Sequence, residues 1–354
     1  MADSSAQLID QVRAAAAGAG GLCIRGGGGK NFYGQALQGE LLDTRAHTGV
    51  VGYEPTELVI TARCGTPLAE IEAELARQGQ MFAFEPPHFG SDATLGGAVA
   101  AGLSGPRRAS AGALRDFVLG VKILDGRGEV LRFGGQVMKN VAGYDVSRLM
   151  AGSLGTLGVI LEVSLKTQPL PATEVTLLLE MPESKAIDTL NQWAGRPLPI
   201  SATAWNDGDL GVRLSGAVAA VVAAAEKLGG DRVEPAQALR FWRDMREHSD
   251  PFFNNDKPLW RLSVPSNAPP LDLPGEQLIE WNGALRWLAS NAEPRQIRES
   301  AAKAGGHATL FRGGDKAAGV FHPLGAPLMT IHRRLKETFD PRGVFNRGRM
   351  YADF

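Results

Sequence analysis

Three clusters of glycine have the residue type and the spacing that binding of an anion or of a large planar ligand requires. Glycine has no Cβ atom, so the backbone N–H groups beside it can approach a ligand closely. The clusters are residues 26–29, residues 96–97, and the trio Gly152, Gly155 and Gly158, which lie three positions apart. Each cluster taken alone also fits an ordinary glycine-rich turn. The presence of all three in one chain favours a bound ligand.

The first cluster does not match either of two familiar phosphate-binding motifs. A Walker A loop that ended in Gly29 and Lys30 would need glycine at position 24 and serine or threonine at position 31, where the chain has Ile24 and Asn31. A dinucleotide-binding fingerprint that began at Gly26 would also need glycine at position 31. What remains is a short strand followed by four glycines and polar residues. Such a segment either wraps backbone amides around a diphosphate or forms a plain tight turn.

Predicted helices and strands place each cluster at the end of a regular element. Residues 22–24 form a short strand before the first cluster, and the second cluster opens a helix of small residues that closes at Gly102. The N-terminus of a helix suits an anionic group, because its first N–H groups have no partner within the helix. A short helix capped by Asp145 precedes the third cluster, and a strand over residues 159–165 follows it.

Composition describes an ordinary globular protein of two domains. The chain has 354 residues, 44% of them hydrophobic and 21% charged, with a net charge of −1 that argues against nucleic acid as the main partner. Cys23 and Cys64 are too few for a disulfide framework, a zinc site or an iron–sulfur cluster. The first twenty residues lack the basic segment of a secretory signal, and the longest apolar run, residues 217–225, is too short to cross a bilayer. We therefore expect a cytoplasmic protein, associated with a membrane only through partners.

Five segments together resemble the vanillyl-alcohol-oxidase family of flavoproteins, which share a PCMH-type FAD-binding domain. They are IRGGGGKN at 24–31, EPP with ATLGG at 85–97, GALRDFVLG at 112–120, KNVAGYD with GSLGTLGV at 139–159, and DPRGVFNRGR at 340–349. Within this family, the chain is most similar to the smaller FAD-binding subunits of bacterial glycolate oxidases. The resemblance implies an α+β fold in which a two-lobed FAD-binding domain carries an α+β cap domain.

The predicted domain bounds follow from this resemblance and from a change of pattern after Pro171. The resemblance to the FAD-binding domain covers residues 1–170 and about the last twenty, and strands and helices alternate in between. We expect an FAD-binding domain over residues 1–171, a cap for substrate or partners over residues 172–325, and a C-terminal segment, residues 326–354, that returns to the first domain.

The resemblance implies that the glycine clusters hold FAD, with backbone amides on the diphosphate and close backbone contact with the ring system. The implied FAD contacts are Arg25, Gly26, Gly27, Gly28, Gly29, Asn31, Pro87, Thr94, Leu95, Gly96, Gly97, Gly102, Gly112, Asp116, Gly152, Ser153, Gly155, Thr156, Gly158, Val159, Ile160 and Asn346. Some family members attach FAD through a histidine beside the first glycine loop. This chain has Lys30 and Asn31 there, so we expect non-covalent FAD. We also expect Gly27→Val or Gly155→Val to reduce FAD retention more than folding.

The residues that would perform catalysis are not identified by the sequence. Catalytic 2-hydroxy-acid relatives carry a histidine-rich, metal-binding segment on the cap, and residues 306–315 do not keep its spacing, so we expect no metal site. The candidates are His88, His307, His322 and Arg312. Arg312, or Arg347 with Arg349, could clamp a carboxylate, although each is equally well read as a surface arginine.

The resemblance implies an FAD-dependent oxidoreductase, a glycolate oxidase subunit that takes part in oxidising glycolate or a similar 2-hydroxy acid to the 2-oxo acid. Its implied partners are a second FAD subunit and an iron–sulfur subunit. One alternative is a non-catalytic electron-relay or scaffold subunit, and another is a stand-alone FAD-dependent reductase, although no nicotinamide-binding motif is present. The aromatic residues that could anchor partners are Phe252, Phe253, Trp260, Trp281 and Trp287, although we expect most of these five to lie in the core.

Overall fold

A computed structural model of the chain describes residues 3–18, 20–135 and 145–352. The turns at Lys139-Asn140 and Gly143-Tyr144, which belong to the family motif, lie outside the described residues. The chain divides into two compact units. The first comprises Met1–Leu103, Ala113–Pro169 and Pro323–Phe354, and the second comprises Ser104–Gly112 and Leu170–His322.

The helices and strands are numbered in chain order. The helices are α1 (Ser5–Ala17), α2 (Leu68–Arg77), α3 (Leu95–Ala101), α4 (Arg108–Ala111), α5 (Leu114–Phe117), α6 (Val146–Leu149), α7 (Glu183–Ala194), α8 (Val218–Leu228), α9 (Pro235–Glu247), α10 (Pro294–Lys303) and α11 (Ala326–Phe339). The strands are β1 (Leu22–Arg25), β2 (Glu40–Asp43), β3 (Val50–Glu54), β4 (Val59–Arg63), β5 (Gln80–Met81), β6 (Val118–Leu124), β7 (Val130–Gly134), β8 (Val159–Lys166), β9 (Gln168–Pro169), β10 (Thr173–Glu180), β11 (Ile200–Asn206), β12 (Asp209–Gly216), β13 (Asp231–Arg232), β14 (Leu259–Ser263), β15 (Glu276–Glu280), β16 (Leu285–Ala289) and β17 (His307–Arg312).

The first unit contains a five-stranded antiparallel sheet in the order β3-β4-β8-β6-β7. The central strand β8 is buried on both faces, which explains its run of apolar residues. Beside this sheet, β1 pairs in parallel with β2, and Leu22 also bridges to Phe345 near the end of the described chain. The core around β1 includes Leu8 and Val12 of α1 together with Phe345. This packing fixes the position of the C-terminal end of β1, where the first glycine cluster begins.

The second unit is built on an eight-stranded sheet in the order β13-β10-β12-β11-β15-β16-β14-β17. Helices α7 and α8 pack against one part of it and α10 against another, around Trp205 and Trp260 respectively. On the opposite face, Thr176 and Arg213 lie directly across from each other in the register of β10 and β12, whereas Trp287 and Phe311 form part of a buried aromatic cluster. In this part of the chain the sequence predicts strands over residues 260–264 and 278–281 but none at β16 or β17. Every residue of β16 is buried, so the strand lacks the alternation that reveals a half-exposed strand.

The five aromatic residues predicted to anchor partners are core residues instead. Phe252, Phe253, Trp260, Trp281 and Trp287 are each no more than 6% exposed. Their side chains pack within the second unit, so the prediction that they form a docking surface is wrong. Among the described residues, no helix has both the length and the apolar character that crossing a bilayer requires.

Candidate cofactor-binding site

Two adjoining cavities of the first unit form one cleft at the C-terminal end of β1. Both cavities are lined by Ile24, Gly26, Gly97, Ala100, Leu154 and Asn346. The structure therefore brings all three glycine clusters to one place. The predicted FAD contacts that line this cleft are Arg25, Gly26, Gly27, Gly28, Gly29, Asn31, Thr94, Gly96, Gly97, Gly155, Gly158, Ile160 and Asn346.

The first glycine cluster presents unpaired backbone donors to the cleft. Within the part of the chain that the structure describes, the N–H groups of Gly27, Gly28 and Gly29 donate to no other group, whereas the N–H of Asn31, two residues further along, donates to the carbonyl oxygen of Gly28 at 2.9 Å. Gly28 has φ +81°, a conformation that glycine adopts without strain. Three adjacent free amides in a tight loop form a concave site for an anion.

Two of these glycines are required by the packing of the loop itself. A Cβ atom on Gly27 would overlap the carbonyl group of Asp92, and one on Gly29 would lie 2.6 Å from the carbonyl oxygen of Phe89. The loop thus packs directly on the segment that carries residues 89–92. The expectation that Gly27→Val would affect FAD retention more than folding is therefore wrong, because valine would displace the loop.

The second cluster contains one glycine that packs on protein and one that faces the cleft. The side chain of Thr94 caps α3 by accepting a hydrogen bond from the N–H of Gly97 at 3.3 Å. A Cβ atom on Gly96 would lie 2.6 Å from the Cβ of Cys64, so Gly96 is needed for packing of α3. A Cβ atom on Gly97 would meet only the Thr94 hydroxyl, at 3.1 Å. Gly97 therefore forms an open wall of the cleft.

The third cluster is fastened to the C-terminal end of α3. The N–H of Gly152 donates to the carbonyl of Val99 at 3.0 Å, and the N–H of Leu154 donates to that of Ala100 at 2.8 Å. Leu154 has φ +51°, which is unusual for a branched residue and turns its backbone toward the cleft. Gly155 has φ +71°, and a Cβ atom on it would lie 2.7 Å from Nδ2 of Asn346. Gly155 is therefore also required by the fold, so Gly155→Val would disturb folding as well.

Asn346 connects the first and third clusters. Its side-chain oxygen accepts a hydrogen bond from the N–H of Ile24 at 2.8 Å, and its Nδ2 donates to the carbonyl of Leu154 at 2.6 Å. The residue is 4% exposed and has φ +41°, a region that asparagine tolerates better than most residues. Asn346 thus holds two walls of the cleft at a fixed separation.

The lining of the cleft is positively charged. Arg25, Lys30 and Arg349 contribute to it, and no carboxylate does so among the described residues. The Lys30 ammonium also donates to the carbonyl of His88 at 3.2 Å. An anionic ligand is favoured in such a cleft because each cation attracts it and no acid repels it.

Arg349 is neither a surface residue nor a carboxylate clamp, contrary to the sequence-based interpretations. It is 4% exposed, and burial lowers the pKa of its guanidinium to about 10. The guanidinium donates to the carbonyls of Gln35, Tyr33 and Asn31, the last at 3.1 Å. It therefore holds the chain that follows the first glycine cluster. Arg347 is exposed and donates to the carbonyl of Gly343 on its own turn.

A buried ion pair that the sequence did not reveal supports the same region. The ammonium of Lys336 donates to Oδ2 of Asp340 at 2.6 Å and to the carbonyls of Thr156 and Phe345, each at 2.8 Å. The Asp340 carboxylate in turn accepts from the N–H groups of Val344 and Phe345. Lys336 and Asp340 lie one helical turn apart, a common surface pattern, so nothing local in the sequence marks this pair as buried.

The remaining predicted FAD contacts lie outside the lining of the cleft. They are Pro87, Leu95, Gly102, Gly112, Asp116, Gly152, Ser153, Thr156 and Val159. A Cβ atom on Gly102 would lie 2.7 Å from the backbone nitrogen of Gly152, so this pair allows α3 to pack on the third cluster. Gly112 belongs to the second unit. Asp116 accepts a hydrogen bond from the N–H of Ala113 at 3.0 Å and so caps α5.

The catalytic candidates are engaged in contacts inside their own units. In the first unit, Nε2 of His88 lies 3.0 Å from a carboxylate oxygen of Glu72. In the second, the ring centroids of His307 and His322 are 6.4 Å apart, and Arg312 donates to the carbonyl of Phe253 at 2.7 Å. Burial lowers the pKa of both histidines in this pair. The described residues contain no group of three or more histidine, cysteine or acidic side chains placed to hold a metal ion.

The residues of the cleft fit a nucleotide cofactor with a diphosphate. The three unpaired amides supply donors, the three cations balance negative charge, and Gly97 leaves space along one wall. Each of these features is a property that a diphosphate-binding site needs.

Comparisons with known proteins agree with this reading. The FAD binding domain family matches residues 1–134. Glycolate oxidase subunit GlcE of Escherichia coli is 53% identical over 351 residues, which cover 99% of this chain and 98% of that protein. Glycolate oxidase subunit GlcD of Bacillus subtilis is 42% identical over 85 residues, 24% of this chain and 18% of that protein. A solved structure of alkyldihydroxyacetonephosphate synthase superposes with a TM-score of 0.67 over 96% of this chain and 74% of its own, at 16% identity, which shows a shared fold.

Proposed function

Because the chain belongs to the family of glycolate oxidase subunits that includes GlcE of Escherichia coli, we propose that it is the FAD-binding subunit of a glycolate oxidase. It takes part in oxidising glycolate or a similar 2-hydroxy acid to the 2-oxo acid. The observation that carries the proposal is the cationic, carboxylate-free cleft with three unpaired amides among the described residues. The first unit has the role of FAD-binding domain, and the second unit has the role of a cap for substrate or partners.

The residues of the first unit have distinct roles in this proposal. The amides of Gly27, Gly28 and Gly29 bind the diphosphate, with Arg25 and Lys30 as its counter-charges. Bound FAD supplies the acceptor for a hydride from the carbon that bears the substrate hydroxyl. Asn346, Arg349 and the Lys336–Asp340 pair position the binding segments and do not themselves react. FAD is held without a covalent bond, because Lys30 and Asn31 occupy the positions where some relatives have an attaching histidine.

We also propose that the subunit works with a second FAD subunit and an iron–sulfur subunit. Electrons that reach the flavin must leave it, and an iron–sulfur cluster normally needs four thiolate ligands. Cys23 and Cys64 are both buried and free. Burial raises the pKa of Cys64 to about 12, which keeps it as an unreactive thiol. The chain thus has no means of holding a cluster by itself. The complex is cytoplasmic, and any association with a membrane comes through these partners.

A second function, that of an electron-relay subunit without its own catalysis, is favoured by the catalytic candidates. His88 contacts Glu72, and Arg312 donates to a backbone carbonyl. Each of these side chains already makes a contact within the protein, which favours a structural role over the role of a catalytic base or of a carboxylate-binding residue. In this case glycolate is oxidised on the partner FAD subunit, and the present chain receives or passes electrons.

Anaerobic titration of the FAD-loaded chain with glycolate tests the function and separates the two roles. Loss of the flavin absorbance near 450 nm in the isolated chain identifies a catalytic subunit, whereas no loss, followed by reduction once the partner subunits are added, identifies a relay. We expect the isolated chain to turn over glycolate slowly or not at all with artificial acceptors, and the co-expressed complex to be active. A chain that binds no FAD, or a complex without glycolate oxidation, would overturn the proposal.

A further inference from the structure

A second pocket lies wholly within the second unit and shares no residue with the cofactor cleft. It has a volume of about 540 Å³ and lies between the N-terminal half of α9 and the strands β10, β12 and β13. A volume of this size is in the range of pockets that hold small organic molecules. A two-carbon hydroxy acid would leave most of it empty, so glycolate is not the ligand that the pocket fits.

One wall of the pocket is apolar and is formed largely by α9. Pro235, Ala238, Leu239 and Trp242 line it, at the spacing that puts residues on one face of a helix. Trp242 is buried and its indole N–H donates to the hydroxyl of Thr176 at 2.9 Å, which closes the inner end. Leu239 is 70% exposed and forms the rim. An apolar ligand would cover this leucine.

The opposite wall carries cations whose acidic neighbours are already neutralised. Arg213 is 5% exposed, its Nε donates to the hydroxyl of Ser201 at 3.0 Å, and its guanidinium carbon lies 5.0 Å from the centre of the Trp242 ring. The carboxylate of Glu174 binds Arg107 and the Ser215 hydroxyl.

The other charged side chains of the pocket lining are Arg232 and Glu234, and both are exposed. The Glu234 carboxylate accepts from the N–H groups of Ala236 and Gln237 and so caps α9. Arg232 lies at the mouth of the pocket and forms no ion pair with any residue that the structure describes. Together with Arg107, which pairs with Glu174, the three arginines around the pocket outnumber its two glutamates by one, so a net positive charge lies beside the apolar wall.

We propose that this pocket binds an amphipathic monoanion, an apolar body with one carboxylate or sulfonate group. The apolar body lies along Ala238, Leu239 and Trp242, and the anionic head group contacts Arg232 at the mouth. The charged hydrogen bond to the Arg232 guanidinium makes the head group contribute to affinity and orients the ligand in the pocket.

Calorimetric titration of the FAD-loaded full chain with octanoate, and with octan-1-ol as its uncharged match, tests the proposal. We expect one octanoate per chain, with octan-1-ol bound about fivefold more weakly. Arg232→Gln should weaken octanoate by about the same factor and leave octan-1-ol unchanged. Leu239→Glu should weaken octanoate at least as much, because it places a carboxylate at the rim. Val218→Glu is the matched control, since Val218 is 58% exposed on α8, away from the pocket.

Each result decides the proposal. Both pocket positions are exposed, so thermal unfolding is expected to be unchanged in the variants and serves as the check of folding. Octanoate binding that survives Arg232→Gln and Leu239→Glu, or that Val218→Glu weakens equally, would overturn it. Absence of saturable octanoate binding, equal affinity for octan-1-ol, or competition by glycolate would overturn it as well. None of these outcomes depends on whether the flavin reacts with glycolate.

Discussion

Asn346 accepts a hydrogen bond from the backbone of Ile24, a residue 322 positions earlier in the chain. The same side chain donates to the carbonyl of Leu154, so one buried amide group joins β1, the third glycine cluster and the C-terminal segment. Each of these three segments lines the cofactor cleft. The geometry of the cleft therefore depends on a residue whose polar atoms are already used by the protein.

Asn346→Ala should lower both stability and FAD affinity. The substitution leaves the N–H of Ile24 and the carbonyl of Leu154 without their partners, at a cost of about 1–3 kcal/mol for each buried group. Urea unfolding measures the first effect, and fluorescence titration of the apoprotein with FAD measures the second. Asn282→Ala is a matched control, because Asn282 also has positive φ and bonds Thr203, but in the second unit. If the two variants lost FAD affinity equally, Asn346 would have no special role at the cleft.

Gly97→Val and Gly96→Val should separate loss of cofactor from loss of structure. The new side chain at position 97 extends into the cleft and meets only the Thr94 hydroxyl, so we expect FAD to bind about tenfold more weakly or worse while the apoprotein unfolds at nearly the same temperature. The new side chain at position 96 meets the Cβ of Cys64 at 2.6 Å and should lower the unfolding temperature of the apoprotein. Unaltered FAD binding in Gly97→Val would show that Gly97 does not line the cofactor site.

Lys336→Met should destabilise the first unit by about 3–5 kcal/mol, because it leaves the buried Asp340 carboxylate without its cation. Burial lowers the pKa of the Lys336 ammonium, while Asp340 raises it and so helps to keep it charged. Lys257→Met is the control, since the pair of Lys257 with Glu276 is exposed and should contribute less than about 1 kcal/mol. Free energies of unfolding of the two variants and of the parent protein, measured by urea titration, test this prediction. Equal effects at the two sites would mean that the buried pair has no particular importance.

Stability should fall as the pH drops below 6.5, partly because of His47. This side chain is fully buried, its Nδ1 accepts from the N–H of Ser4 at 3.1 Å, and burial lowers its pKa below the ordinary value of 6.5. In the unfolded chain His47 takes up a proton near pH 6.5, whereas in the folded chain it does so only at a lower pH. Acid therefore favours the unfolded state, by at most about 1.4 kcal/mol per pH unit for one group.

His47→Gln tests this assignment, because glutamine does not titrate. The variant should be less stable than the parent at pH 7.5, yet lose less stability between pH 6.5 and pH 5.5 in urea unfolding. Some pH dependence should remain, since burial also lowers the pKa of His248, His307 and His322. If the stability of the two proteins depended on pH in the same way, His47 would not contribute to the pH dependence.

Acid precipitation of the purified protein should release FAD into the supernatant. Covalent attachment needs a nucleophilic side chain at the flavin, and the positions of the attaching histidine in some relatives hold Lys30 and Asn31. The absorbance of supernatant and pellet measures the outcome. Yellow colour retained in the pellet would contradict non-covalent binding.

The parts of the cleft that are formed by short local motifs could be predicted from the sequence. The glycine clusters and Thr94 are visible as short motifs, and the structure brings them together. The sequence could not separate glycines that face a ligand from those that face the protein, because Gly96 and Gly97 differ only in what lies opposite a missing Cβ atom.

Hydrogen bonds between residues far apart in the chain could not be predicted from the sequence either. Lys336 reaches the carbonyl of Thr156, 180 positions away, and the Arg349 guanidinium reaches that of Asn31, 318 positions away. Lysine and arginine side chains are ordinarily exposed, so the burial of Lys336 and Arg349 follows only from the tertiary fold. Strand β16 was missed for a related reason, since its burial on both sides removes the alternation that marks a strand.

The pairing of β1 with the C-terminal segment has a consequence for biosynthesis. Leu22 donates its N–H to the carbonyl of Val344 and accepts from the N–H of Asn346. A ribosome delivers β1 early and residues 344–346 more than three hundred codons later. Until then, the strand that leads into the first glycine cluster lacks the neighbour that completes its hydrogen bonding. We therefore expect acquisition of the cofactor to await emergence of residues 344–346 from the ribosome, so that a nascent chain stalled before Asp340 remains an apoprotein.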